Sequence, residues 1–227
     1  MRKSAFFHQG GKCMLAHTKW KSLFVGVLVL ISATAQGEIL ELPDMDLSTA
    51  EMAYQGPETL TLMITPDGTG GYFTTARTPD GVIANATITL HLRNVVGDPM
   101  AFFPREDIWI QSEDRDIAFC GIFDLWPETD TDWDGMTFWL QGPRGGGFHE
   151  GPIVVYVIFD ALSQPPLALS FNSPDISGNG NVSLGDVAIF AGDFFGAYHF
   201  RSDLHRDGVI NLSDVTPLAV WMGRGCE

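Results

Sequence analysis

The sequence predicts a mainly β protein that ends in a small α-helical module, and three observations lead there. Of 227 residues, 45% are hydrophobic, enough for a folded core, while 25 Gly and 13 Pro favour many turns over long helices. Short runs of strand character recur between turn residues from about residue 59 to 171. Residues 175–227 then repeat a twelve-residue segment rich in Asp, Asn and Gly, each copy followed by an amphipathic stretch.

At the N-terminus the argument is one of charge. The chain has 13 Lys+Arg against 28 Asp+Glu, a formal -15. Arg2, Lys3, Lys12, Lys19 and Lys21 all precede residue 36, where no acid occurs, so the remainder carries only arginines against every carboxylate. Such a surface attracts cations and repels anionic polymers and headgroups, which excludes a nucleic-acid binder. Residues 23–32 are an apolar run between Lys21 and Ala33-Thr34-Ala35, the pattern of a secretory signal over residues 1–35 with cutting after Ala35. A start at Met14 would make that signal more compact. The run is shorter than the roughly 20 residues a spanning helix needs, so no membrane span is expected after cleavage. The protein is expected outside the cell or at its surface. Cys13 precedes the cut, leaving Cys120 and Cys226; export permits a bridge between them, and their spacing does not decide it.

Strands are expected at residues 59–65, 71–77, 82–93, 107–111, 116–120, 136–140, 153–159 and 167–171, a spacing that suggests a β-sandwich over residues 36–171. In the clearest, Ile88, Leu90 and Leu92 share one face while Thr87, Thr89, His91 and Arg93 share the other, as in a sheet with one wet side. Pro66-Asp67-Gly68, Pro79-Asp80-Gly81 and Gly97-Asp98-Pro99 read as turns. The strand 86–92, the loop 96–99 leading to Asp107-Ile108-Trp109, and the turn 131–135 before Met136-Thr137-Phe138 resemble a bacterial immunoglobulin-like domain over residues 82–160. That resemblance implies a sandwich and, by itself, no function.

Two features inside this region bear on chemistry. Asp130, Asp132, Asp134 and Gly135 imitate the opening of a calcium loop, but its twelfth position is Gln141, so an acidic hairpin turn competes with an accessory cation site. Trp109, Trp126, Trp133 and Trp139 could form a sugar-stacking platform, although Trp109 and Trp139 sit in apolar strands that suit a core. No spacing singles out a catalytic carboxylate pair, nucleophile elbow or P-loop, so a non-enzymatic protein is expected. The alternatives are a carbohydrate-binding module or a small O-glycosyl hydrolase, with Asp124, Glu128, Asp130 and Asp132 as the carboxylates to consider.

The C-terminal repeat is more specific. Residues 175–186 align with residues 203–214. Each copy has oxygen-bearing side chains at positions 1, 5, 9 and 12, Gly at position 6 and an aliphatic residue at position 8. Alternate inward oxygens around a glycine turn suit a hard cation, and the aliphatic residue packs loop on loop. The expected ligands of loop one are Asp175, Ser177, Asn179, the Asn181 carbonyl, Ser183 and Asp186; those of loop two are Asp203, His205, Asp207, the Val209 carbonyl, Asn211 and Asp214. Ser183 and Asn211, expected to act through water, double as N-caps of the helices that follow. Helices are expected at residues 184–195, with Val187, Phe190, Ala191 and Phe194 on one face, and at residues 212–222, where Pro217 should kink the backbone.

Two such loops, each with Asp at position 12 and one following helix, resemble a dockerin over residues 174–224. The resemblance implies a module spanning residues 172–227 that folds around two Ca2+ ions and docks to a cohesin-like domain. Its setting would be an extracellular assembly, with polysaccharide as a further partner. His205 at position 3 departs from the family pattern, as do Leu184 and Leu212 at position 10.

Overall fold

The computed structural model describes residues 42–112, 117–121 and 126–226. The expected signal, Asp116 and Asp124 lie outside these residues. Among the described residues twelve short strands come first: β1 Thr49–Met52, β2 Leu60–Met63, β3 Ala76–Arg77, β4 Ile83–Ala84, β5 Ile88–His91, β6 Ile108–Ser112, β7 Ala118–Phe119, β8 Met136–Trp139, β9 Gly145–Gly146, β10 Ile153–Val157, β11 Asp160–Ala161 and β12 Leu169–Asn172. Two helices follow, α1 Leu184–Phe194 and α2 Leu212–Val220. The protein is mainly β, as its composition and turn spacing predict.

The strands form sheets in the orders β1-β5-β8, β11-β10-β6, β12-β2-β3-β4 and β7-β9. All but the β12–β2 pair are antiparallel. Alternation explains which faces meet. In β5 Ile88 and Leu90 are buried while Thr89 and His91 are half-buried, and β6 and β10 alternate in the same sense. Leu60, Leu62, Ile88, Leu90, Ile108, Ile110, Trp139, Ile153 and Phe171 join one apolar core with their neighbours. Each such side chain contributes about 1.5–3 kcal/mol on burial.

Three strands were not expected: β1, β9 and β11. β1 has Thr and Glu on its wet positions, and β9 is a glycine pair with no side-chain pattern to read. Conversely, the run 71–77 opens as a 3-10 turn over Phe73–Thr75, and the run 82–93 divides into β4 and β5.

Strand β12 is buried at all four positions, Leu169, Ser170, Phe171 and Asn172. Leu169 and Phe171 face the apolar core. Asn172 faces the helical end, where its amide Nδ2 donates to the Asp203 carbonyl at 2.7 Å. A second, smaller core there gathers Ile176, Val182, Phe190, Leu204 and Leu218. Residues 40–227 form one compact unit. Ser173 Oγ donates to the Gly145 carbonyl, the Gly147 N–H donates to the Asp175 carbonyl at 2.6 Å, and Trp221 Nε1 donates to Thr69 Oγ1 at 2.7 Å. Cys120 and Cys226 form a disulfide with their Cα atoms 5.4 Å apart, which decides the question the spacing left open.

Helix α1 starts on a capping box: Ser183 Oγ accepts from the Gly185 N–H, and Asp186 reaches back to the Ser183 N–H at 2.8 Å. Asn211 and Asp214 repeat this at α2. α1 ends at Phe194, one residue earlier than expected, and α2 at Val220, two earlier. Pro217 lies inside α2, which continues through it. The 28-residue repeat aligns Val187, Phe190, Ala191 and Phe194 with Val215, Leu218, Ala219 and Met222, and this second apolar face is only partly buried. Leu218 enters the small core, while Val215 and Met222 remain exposed.

Candidate metal centre

The two loops are built by one backbone hydrogen-bond scheme. At position 1, Asp175 accepts from the N–H groups of Asn179 (3.2 Å) and Gly180 (2.7 Å), and Asp203 accepts from those of Asp207 (3.1 Å) and Gly208 (2.9 Å). At position 12, Asp186 accepts from the N–H groups of Ser177 and Ser183, both at 2.8 Å. Asp214 accepts from those of His205 (2.7 Å) and Asn211 (2.8 Å). Thus the first carboxylate holds positions 5 and 6 and the last holds positions 3 and 9, in both copies. Positions 4 and 6 are left-handed in each: Gly178 (φ 68°) and Gly180 (84°), then Arg206 (58°) and Gly208 (80°). Glycine takes that conformation without strain, and a side chain does not.

All four terminal carboxylates, Asp175, Asp186, Asp203 and Asp214, are fully buried. Burial raises the Asp175 carboxyl above the usual range, its N–H donors pull it down, and the Asp186 charge raises it further. Asp214 is likewise raised by burial, against the N–H bonds from Asn211 and His205, with Asp203 and Asp207 adding repulsion. Like charges gathered in a dry place favour a proton or a cation.

The residues expected as ligands fall as follows. In loop one Asp175 and Ser177 are joined, the Ser177 hydroxyl donating to Asp175 Oδ1 at 3.2 Å; Asn179 Oδ1 accepts from the Asn181 N–H at 3.0 Å; Ser183 caps α1. In loop two Asp207 Oδ1 accepts from the Val209 N–H at 3.1 Å and Asn211 caps α2. His205 serves Asp214 through its backbone, and it lines a cavity of about 330 Å³ with Thr61, Arg77, Arg206 and Pro217. Among the described residues, no cluster of three or more His, Cys, Asp or Glu side chains is placed to hold a metal ion. Loop one offers two carboxylates, and neutral oxygens from Ser177, Asn179 and the Asn181 carbonyl would complete its set. That set is all oxygen, the chemistry of a hard cation such as Ca2+.

The loops differ in what surrounds position 1. Gly146 of β9 presses on Asp175, and a Cβ placed there would lie 1.9 Å from Asp175 Oδ2. At Asp203 the matching oxygen accepts from the Tyr198 hydroxyl at 2.9 Å. Arg206 Nη1 lies 3.1 Å from that hydroxyl and 3.9 Å from Asp203 Oδ2. Burial, then the hydrogen bond to Asp203, pushes Tyr198 up to about 12. Sequence alone did not reveal these neighbours. The run Gly145-Gly146-Gly147 carried a signal of close backbone approach, whereas Tyr198 and Arg206 carried none.

Position 8 is also partnered unexpectedly. Val182 and Ile210 share the small core, yet the Val182 backbone pairs with the C-terminal tail, donating to the Arg224 carbonyl (2.9 Å) and accepting from the Gly223 N–H (2.8 Å). The Cys226 N–H donates to the Gly180 carbonyl at 2.9 Å. The disulfide therefore ties loop one to the β region through this tail.

The remaining features resolve into structure. Asp132 Oδ1 accepts from the N–H groups of Asp134 and Met136, and Gly135 turns with φ 73°, so this acidic segment is a hairpin turn. Asp130 accepts from the Arg105 N–H, and Glu128 from that of Gln141 at 2.7 Å. Glu128 lines a cavity of about 240 Å³ with Arg105, Trp126 and Arg144. A platform of all four tryptophans does not form, because Trp139 belongs to the core. Trp139 is buried, Trp133 meets Phe102 edge-on at 4.4 Å, and Trp109 stacks on Tyr156 with centroids 5.6 Å apart. Among the described residues, no helix is long and apolar enough to cross a membrane.

No family model matches the chain, and no curated protein does. Among solved structures, the crystal structure of the Lin-41 filamin domain aligns with 59% of this chain and 97% of that one, at 14% identity and a TM-score of 0.29, a likeness that fixes neither fold nor function.

Proposed function

We propose that this is a secreted, non-catalytic calcium-binding protein in which a dockerin-like pair of loops, mounted on an immunoglobulin-like sandwich, docks to a cohesin-like domain outside the cell. One observation carries the calcium part: the same carboxylate-to-backbone scheme recurs position for position in loops whose Asp175, Asp186, Asp203 and Asp214 are wholly buried. Burying acidic groups beside one another is costly unless a cation or proton compensates. Calcium would be held by Asp175, Ser177, Asn179, Asn181 and Asp186 in loop one and by the matching oxygens of loop two, and would supply the missing positive charge. The docking part rests on the dockerin resemblance; Leu184 (80% exposed) and Leu212 (74% exposed), which depart from the family pattern at position 10, begin the two helices and face solvent, where they would form the contact. Polysaccharide enters only as the substrate of such an assembly.

The test is a calorimetric calcium titration of the chelator-treated protein with circular dichroism before and after, followed by a cohesin pull-down. Calcium binding with a gain in helix, and capture that Leu184→Asp with Leu212→Asp abolishes, is the expected result. Absence of binding and of any spectral change refutes the calcium reading. Calcium binding without capture refutes only the docking partner.

A further inference from the structure

The two loops share a scheme but not a charge balance. Among the described residues, no Lys, Arg or His forms an ion pair with Asp175 or Asp186. At the equivalent place in loop two stands Arg206, only 13% exposed, its Nη1 3.9 Å from Asp203 Oδ2 and bonded to the Tyr198 hydroxyl that also donates to Asp203. The guanidinium carbon lies 4.5 Å over the Phe200 ring, which holds the head on that side.

Arg206 occupies position 4, which both loops hold left-handed. Loop one puts Gly178 there, free of strain; loop two puts a long side chain at φ 58°. A strained residue persists where the surroundings require it. Resting on the calcium reading above, we infer that Arg206 is a resident cation of loop two, so that the tandem binds calcium tightly in loop one and weakly in loop two. An incoming ion at loop two meets a positive charge close to Asp203, and it must also displace the Tyr198 hydroxyl from the oxygen it needs. In loop one, among the described residues, no such cation stands beside Asp175, and the hydroxyl on Asp175 is that of Ser177, itself an expected ligand. The helix after loop two is then secured without metal, while the helix after loop one depends on it.

Calcium is titrated into the full chain after chelator treatment, for the wild type and for Asp175→Asn, Asp203→Asn and Arg206→Gln, with thermal melting of each with and without calcium. The wild type is expected to show one tight event and a second at least about tenfold weaker. Asp175→Asn should remove the tight event, and Asp203→Asn should leave it. Arg206→Gln should bring the second event to within a few-fold of the first, and should melt lower without calcium but recover on its addition. Two wild-type events of equal affinity, or a second event unmoved in Arg206→Gln, overturns the inference while leaving calcium binding intact. No event in any protein overturns the calcium reading and the inference together. Melting identifies any variant that fails to fold, and Arg206→Lys, which keeps the charge, should retain the weak second event.

Discussion

Replacing Gly146 by Ala tests how closely the β region and loop one are interlocked. The added methyl would stand 1.9 Å from Asp175 Oδ2 and 2.5 Å from its Cγ, far inside contact distance. Asp175 is fully buried and cannot swing into solvent. Its carboxylate is held by the N–H groups of Gly180 and Asn179 and by the Ser177 hydroxyl, and moving away weakens all three. A hydrogen bond to a charged group is worth about 1.5–3 kcal/mol, and losing one outright with strain in the others gives about 3 kcal/mol. For a unit of this size 1 kcal/mol moves Tm by about 2–4 °C, so Gly146→Ala should melt roughly 6–12 °C below the wild type. The assay is thermal melting followed by circular dichroism, in chelator and again with calcium. Gly192→Ala is the control: it is exposed in α1 with nothing within 4 Å of its added methyl, and it should stabilise by up to about 1 kcal/mol. A Gly146→Ala protein melting within about 2 °C of the wild type would refute the argument that Asp175 is wedged against β9.

Further outcomes follow from the fixed tail and from one buried ion pair. The disulfide closes a separation of 106 residues, so Cys226→Ser should cost about 4–5 kcal/mol by the loop-closure estimate, read by urea denaturation; a cost below about 1 kcal/mol would contradict it. Asp193 accepts from Arg201 Nε (2.8 Å) and Nη2 (2.9 Å) and from the Ser202 hydroxyl (2.7 Å), and the Arg201 bonds hold its carboxyl below the usual range. Because the folded value is the lower one, this group's stabilisation is present above the ordinary carboxylate pKa and is lost as pH falls through its depressed value. Asp193→Asn should therefore melt lower than the wild type at pH 7, by the equivalent of about 2 kcal/mol, and approach it in strong acid. A gap that stays constant with pH would exclude this origin.

Much of the molecule is legible in its residues because local patterns act locally. Ile88, Leu90 and Leu92 alternate with polar neighbours, and those apolar residues are buried wherever the strand is paired. The Asp/Asn/Gly repeat fixes two loops because glycines at positions needing positive φ, and Asp side chains able to bind backbone N–H groups, act within a dozen residues. The capping boxes at Ser183 and Asn211 are legible for the same reason. The exposed Val215 and Met222 show the limit: their spacing promised an apolar face, and burial depends on what the rest of the chain brings to that face.

By itself, then, the sequence determined the mainly β character, the twofold loops and their helices, and a surface that favours cations. Tertiary structure alone decided which groups stand beside those loops. Cys120 meets Cys226, Gly146 lies against Asp175, and Tyr198 with Arg206 closes on Asp203, while among the described residues loop one has no such cation. These are contacts between residues far apart in sequence or on different faces of a turn. No periodicity encodes them, because they follow from how complete elements pack and not from the preferences of any one segment.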